Sequence, residues 1–164
     1  MQVILVRHAI AYARNRKRWP NDALRPLTPS GKRKFRKAAR GLATVLPKSA
    51  ALLTSPFVRA RQTAEVLARA MGRQKIVEAR ELASGEPAHE VFAMLRARQD
   101  RAVVLVGHEP NLGTLLSACL HDRARLKIEF KKGGAACIEF TGRIAPGGAC
   151  LIGFLSPRVL RAMR

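Results

Sequence analysis

Gln2-Val3-Ile4-Leu5-Val6-Arg7-His8 opens the chain with an unbroken apolar run that halts at an arginine and a histidine. A short run with β-branched members and no polar alternation reads as a strand buried on both faces, the kind found in parallel sheets covered by helices. Runs of the same character recur at residues 50–54 and 102–106, with a weaker one at 76–77. Between them lie helical patterns. Residues 27–46 repeat Phe35, Ala38, Ala39, Leu42, Val45 and Leu46 at intervals of three and four, with Thr28 as N-cap, Pro29 in the first turn and Pro47 as stop. Residues 57–71 place Ala60, Ala64, Leu67 and Met71 on one face, residues 87–98 repeat Val91, Phe92 and Leu95, and residues 110–120 form a fourth helix. Strand and helix in alternation predict an α/β fold: a three-layer sandwich with a mostly parallel central sheet and helices on both faces.

The tail changes character. Residues 126–130, 135–140 and 150–154 are apolar segments bounded by Gly133-Gly134 and Gly147-Gly148. They read as antiparallel edge strands, two of them a hairpin. At 164 residues, with 48% apolar side chains, the chain is expected to form one domain, 1–164, with a core large enough to need no staple. Cys119, Cys137 and Cys150 are odd in number and lack zinc-ligand spacing, so a disulfide framework and a structural metal are not expected. The chain enters its first strand with no basic leader, and no apolar run approaches the roughly 20 residues of a membrane helix, so a cytoplasmic protein without membrane insertion is expected.

Charge is the outlying property. Lys and Arg number 31 against 11 Asp and Glu, for a net charge of +20. A surface of this kind attracts polyanions. Before Glu65 the only acid is Asp22, set against fifteen cations, with clusters at Arg14-Asn15-Arg16-Lys17-Arg18-Trp19 and Lys32-Arg33-Lys34-Phe35-Arg36-Lys37. The second cluster is the solvated face of an amphipathic helix. The first lies in a long connection, residues 9–27, beside Tyr12 and Trp19.

Chemistry in an open α/β sheet gathers at the carboxyl ends of its strands. Three such ends carry reactive side chains: Arg7-His8, Ser55-Pro56-Phe57-Val58-Arg59, and Gly107-His108-Glu109-Pro110. Two arginines and two histidines at one edge suit a phosphoryl group. Guanidinium forks bind its oxygens, and a neutral imidazole can attack its phosphorus. No carboxylate cluster accompanies the histidines, so neither a catalytic metal nor another cofactor is expected. In a regular strand Arg7 and His8 would face opposite ways, so the strand must end there for both to enter one pocket.

The combination of Leu5-Val6-Arg7-His8, Leu27-Thr28-x-x-Gly31, Ser55-Pro56-x-x-Arg59-Ala60-x-Gln62-Thr63-Ala64 and Val106-Gly107-His108 resembles the histidine phosphatase superfamily, which includes the phosphoglycerate mutases. The short chain and its closing Phe154-Leu155-Ser156-Pro157 look most like the small bacterial branch, the phosphohistidine phosphatases of the SixA type. The resemblance spans almost the whole chain. It implies a phosphoglycerate mutase-like fold and a metal-independent phosphatase. Within that enzyme it makes His8 a transiently phosphorylated nucleophile, with Arg7, Arg59 and His108 around the phosphoryl oxygens. It also places a general acid after the third strand, where Glu81 is the positional match and Glu109 and Glu86 are alternatives. Ser55 would cap a helix or bond the phosphate side. Ala9 stands where the family usually has glycine, a change that matters if the backbone there needs positive φ.

The leading substrate class is therefore phosphohistidine on a signalling protein. The alternatives are small phosphorylated metabolites or polyphosphate, and a polyanion-binding module on an inactive phosphatase scaffold. Nucleic acid is a partner the charge permits but the motifs do not favour. A mutase is disfavoured because the chain has no long insertions to cap a phosphosugar. His89 and His121 have no supporting pattern and read as surface residues, and the cysteines as small core hydrophobes.

Overall fold

The structure, a computed structural model, describes residues 1–72, 75–123 and 126–163. Strands β1 (Gln2–Arg7), β2 (Ala51–Thr54), β3 (Val77–Glu78), β4 (Ala102–Gly107), β5 (Ala135–Phe140) and β6 (Ala149–Leu155) form one six-stranded sheet in the order β3-β2-β4-β1-β5-β6. The pairs β1/β4, β2/β4 and β2/β3 are parallel; β1/β5 and β5/β6 are antiparallel. Helices α1 (Pro29–Val45), α2 (Val58–Ala70), α3 (Ala88–Arg96), α4 (Asn111–Leu120) and α5 (Pro157–Ala162) complete the α/β architecture. Every residue of β4 is buried, as the central position of that strand requires.

Alternate residues of the central strands feed two apolar layers. Ile4, Val6, Leu52, Val104 and Val106 pack with Phe35, Ala39, Leu42, Ala64 and Leu67 of α1 and α2. Leu5, Leu53, Val103 and Leu105 pack with Phe92, Leu95, Leu112 and Leu116 of α3 and α4. This is the period-two partition of a strand covered on both sides. Helix α1 begins as expected: Thr28 Oγ1 accepts from the Gly31 N–H at 2.9 Å, Pro29 occupies the first turn, and the helix ends before Pro47. Among the described residues no helix is long and apolar enough to cross a membrane.

Residues 126–130 are a correction. They form no strand, because their backbone groups are engaged by side chains instead of a ladder. The Leu126 N–H donates to Ser117 Oγ at 2.7 Å and the Phe130 N–H to Glu109 Oε1 at 2.9 Å, while the Phe130 carbonyl accepts from Arg7 Nη1. The segment is a strap from α4 to the end of β1. The third strand is also displaced by one residue, to Val77–Glu78, and stays short at the sheet edge.

Candidate active site

Strand β1 ends at Arg7, and the chain leaves the sheet there under a dense set of backbone bonds. The His8 N–H donates to the Gly107 carbonyl at 3.0 Å, and the Gly133 N–H donates to the carbonyls of Arg7 and His8 at 3.1 and 3.2 Å. Gly133 has φ +78°, a conformation that glycine adopts without strain. Ala9 is buried, and its N–H donates to Thr63 Oγ1 at 3.0 Å, while Thr63 Oγ1–H donates to the Arg59 carbonyl at 2.7 Å. No described non-glycine residue has positive φ, so alanine meets no backbone strain at position 9.

His8 is 6% exposed and His108 2%, and their ring centroids lie 5.2 Å apart. His8 Nδ1 lies 2.7 Å from the Ala9 carbonyl. A carbonyl can only accept, so Nδ1 carries the proton and Nε2 keeps its lone pair. Burial pushes the His8 pKa down to about 3; Arg59, Arg7 and Lys132 push the same way, and the bond to Ala9 opposes them. His8 is thus neutral at physiological pH, the form in which an imidazole attacks phosphorus.

His108 is neutral for related reasons. Burial first, then His8 and Arg59, lower its pKa to about 2. Its Nε2 lies 2.8 Å from Ser55 Oγ, which also accepts from the Phe57 N–H at 3.2 Å. A serine hydroxyl donating to Nε2 would put the imidazole proton on Nδ1, where it could serve an incoming acceptor. Phe57 packs on both partners: its ring lies 5.0 Å from the His108 ring and 5.0 Å from the Arg59 guanidinium carbon.

Arg59, 4% exposed, has Nη1 at 2.8 Å from the Asp22 carbonyl and 3.2 Å from Asp22 Oδ2. Asp22 is shared with Arg25, whose Nε donates to Oδ1 at 2.8 Å and whose Nη1 donates to the Tyr12 carbonyl at 2.7 Å. The bond to Arg25 holds the Asp22 carboxyl below the usual carboxylate range. Arg7, Arg59 and Lys132 act on His8, while Arg25 and Arg59 share the single carboxylate of Asp22, a cationic surplus suited to a dianion. Among the described residues the buried side-chain nitrogens with no hydrogen-bond partner are Arg7 Nε, Arg59 Nε and His108 Nδ1. Buried donors without acceptors mark a place where an acceptor belongs.

The carboxylates sort by their commitments. Glu109 is spent on the Phe130 N–H at 2.9 Å, and Glu86 is exposed. Glu81 is half-buried on a 3₁₀ turn, Arg80–Leu82, beyond β3, and makes no hydrogen bond or ion pair with Arg7, His8, Arg59 or His108. The structure places Arg7, His8, Ser55, Arg59 and His108, all singled out in the sequence, at this edge, together with Asp22, Arg25, Lys132 and Phe57, which sequence reasoning did not assign to it. Asp22 had a signal, as the lone acid among fifteen cations; Lys132 had none. His89 lies on the surface, 77% exposed in its side chain, and His121 is exposed beside Asp122. Cys119 is buried, Cys137 partly so and Cys150 exposed, so only the first two match the core expectation.

An α/β sheet that gathers neutral imidazoles and unpartnered guanidinium nitrogens at its carboxyl edge defines an enzyme built for a phosphoryl group, a phosphatase. Residues 3–86 match the model of the histidine phosphatase superfamily (branch 1), and the chain belongs to that superfamily. An uncharacterised protein of Picosynechococcus sp. is 34% identical over 137 residues, covering 82% of each chain. Among solved structures, the protein histidine phosphatase SixA complexed with tungstate superimposes with a TM-score of 0.83 at 25% identity, covering 96% of this chain and 98% of the other. A SixA-type chain from Agrobacterium tumefaciens gives 0.74 at 27% identity, with 95% and 97% covered.

Proposed function

We propose that the protein hydrolyses phosphohistidine on a partner protein through a covalent phosphohistidine on its own His8. The observation that carries this reading is the trio of buried nitrogens without partners, Arg7 Nε, Arg59 Nε and His108 Nδ1, beside an imidazole held in its Nδ1–H form. The SixA likeness supplies the substrate class.

His8 Nε2 attacks phosphorus as the bond from phosphorus to the substrate nitrogen breaks, and that nitrogen leaves with a proton. Charge on the equatorial oxygens is met by Arg7, Arg59 and the His108 Nδ1–H, donors already in place before the reaction. Water then attacks the phosphorylated His8, releases inorganic phosphate and restores the neutral imidazole. Glu81 is assigned the proton-donor role, because the other carboxylates near this edge are committed to Phe130 or to arginines or are exposed.

Rapid quenching with ³²P-phosphohistidine peptide in the presence of a chelator tests the scheme. Label should appear on the enzyme, survive base and be lost in acid. His8→Ala should lower turnover by about 10³-fold or more and abolish the label. Glu81→Gln should slow an alkyl phosphate more than phosphohistidine, whose leaving nitrogen accepts a proton before departure. Turnover by the His8→Ala protein at the parental rate would overturn the reading.

A further inference from the structure

The strongly basic face of α1 is continuous with the site through one side chain. A groove between the 9–27 connection and α1 is lined by Tyr12, Leu27, Lys32, Arg33 and Arg36. A second groove, between α1 and α2, is lined by Arg36, Arg40, Val66, Arg69 and Ala70. Arg36 borders both, so the two grooves adjoin at that side chain and together form a channel. At its near end the Tyr12 carbonyl accepts from Arg25, which shares Asp22 with Arg59.

None of Lys32, Arg33, Arg36, Arg40 or Arg69 has an ion-pair partner among the described residues. Glu65 is engaged by Arg61 at 3.7 Å, and Asp22 is held by two arginines. Five uncompensated cations along a channel with a partly apolar floor of Leu27, Val66 and Ala70 exceed what solubility asks of a helix face. We propose that this channel binds an acidic protein segment flanking the phosphorylated residue of the substrate. The inference rests on the phosphatase reading above and names the partner's chemistry.

An acidic peptide fits better than a nucleic acid. Base stacking would need open aromatic faces, but Arg18 lies 4.9 Å from the Tyr12 ring centroid and 4.6 Å from that of Trp19, filling the platform. The span from Lys32 to Arg40 is about 12 Å along the helix, the reach of about four residues of extended chain. Carboxylates on such a segment meet the cations, and its apolar side chains meet the floor.

The test compares the whole protein with its Arg36→Glu/Arg40→Glu variant at physiological salt. Affinity for an unphosphorylated Asp/Glu-rich peptide is read by fluorescence anisotropy, and KM is read for the same peptide carrying phosphohistidine and for p-nitrophenyl phosphate. Peptide affinity should weaken by about tenfold and the phosphopeptide KM rise by a similar factor, with p-nitrophenyl phosphate turnover unchanged. Peptide affinity within twofold of the parent overturns the proposal. So does a single-stranded oligonucleotide that loses more affinity than the peptide. If neither substrate turns over but peptide binding still depends on Arg36 and Arg40, the catalytic reading fails and the groove assignment stands.

Discussion

At the scale of single residues, the site works by withholding solvent from groups that ordinarily hold protons. His8 and His108 are buried and neutral, with pKa values of about 3 and about 2 against 6.5 in an exposed imidazole. A folded-state pKa below the unfolded one means that the unfolded chain binds more protons between the two values. The stabilisation is therefore complete above pH 6.5 and is lost as pH falls toward 3. Going from pH 7 to pH 5 should cost about 2 kcal/mol per histidine. Urea unfolding in phosphate-free buffer checks this: His8→Asn, which cannot titrate, should lose less stability than the parent over that interval. Equal losses would show that His8 is not held neutral by the fold. For activity, the same shift keeps the proposed nucleophile His8 neutral well below pH 6.5, so an acid limb near 6 is expected to belong to the second ionisation of the substrate's phosphoryl group.

Elements position those residues through side chains that bond backbone, and here the sequence was partly legible. The motif around Arg59 names its own tethers: Ser55 to His108, Gln62 Oε1 to the Leu27 N–H at 2.9 Å, and Thr63 to Ala9. Gly31 follows from contact, since a methyl group there would overlap the Ile10 carbonyl. The central strands were readable because burial on both faces leaves continuous apolar runs. Residues 126–130 misled for the same reason: Phe130 is fully buried, and apolarity reports burial, not pairing. What holds that strap is Glu109, and this yields a prediction. Glu109→Ala should free the Phe130 amide, loosen the carbonyl that anchors Arg7, and lower kcat/KM by about tenfold. Glu109→Gln keeps an accepting oxygen and should restore most of the rate. A general acid would fail in both variants, so equal loss in Glu109→Gln would reassign the residue. Gly113→Ala offers a check from the other side, because its methyl would overlap the Ile128 carbonyl, cost about 1–3 kcal/mol and disturb the same strap.

Over the whole molecule, a net charge of +20 was visible in composition, but composition does not say which cations are compensated. The structure separates them. Asp22 ties down Arg25 and Arg59, Glu78 and Glu65 engage Arg61, and Arg7 spends one nitrogen on a carbonyl. Asp100 likewise engages Arg98 and Asp122 lies against Arg123, but 31 cations against 11 acids leave a surplus that repels itself, and added salt of any kind should stabilise the fold by screening that repulsion. Inorganic phosphate should do more, because it supplies acceptors for the three orphaned nitrogens in addition to screening. At 100 times its dissociation constant a ligand of the folded state adds about 2.7 kcal/mol, which for a chain of this size raises Tm by about 5–10 °C. Thermal melts in phosphate and in sodium chloride of matched ionic strength separate the two contributions. Arg59→Ala should abolish the phosphate-specific increment and leave the chloride response intact. If both salts shift Tm equally in the parent protein, the buried nitrogens are not an anion site, and the surplus charge acts only as a diffuse field.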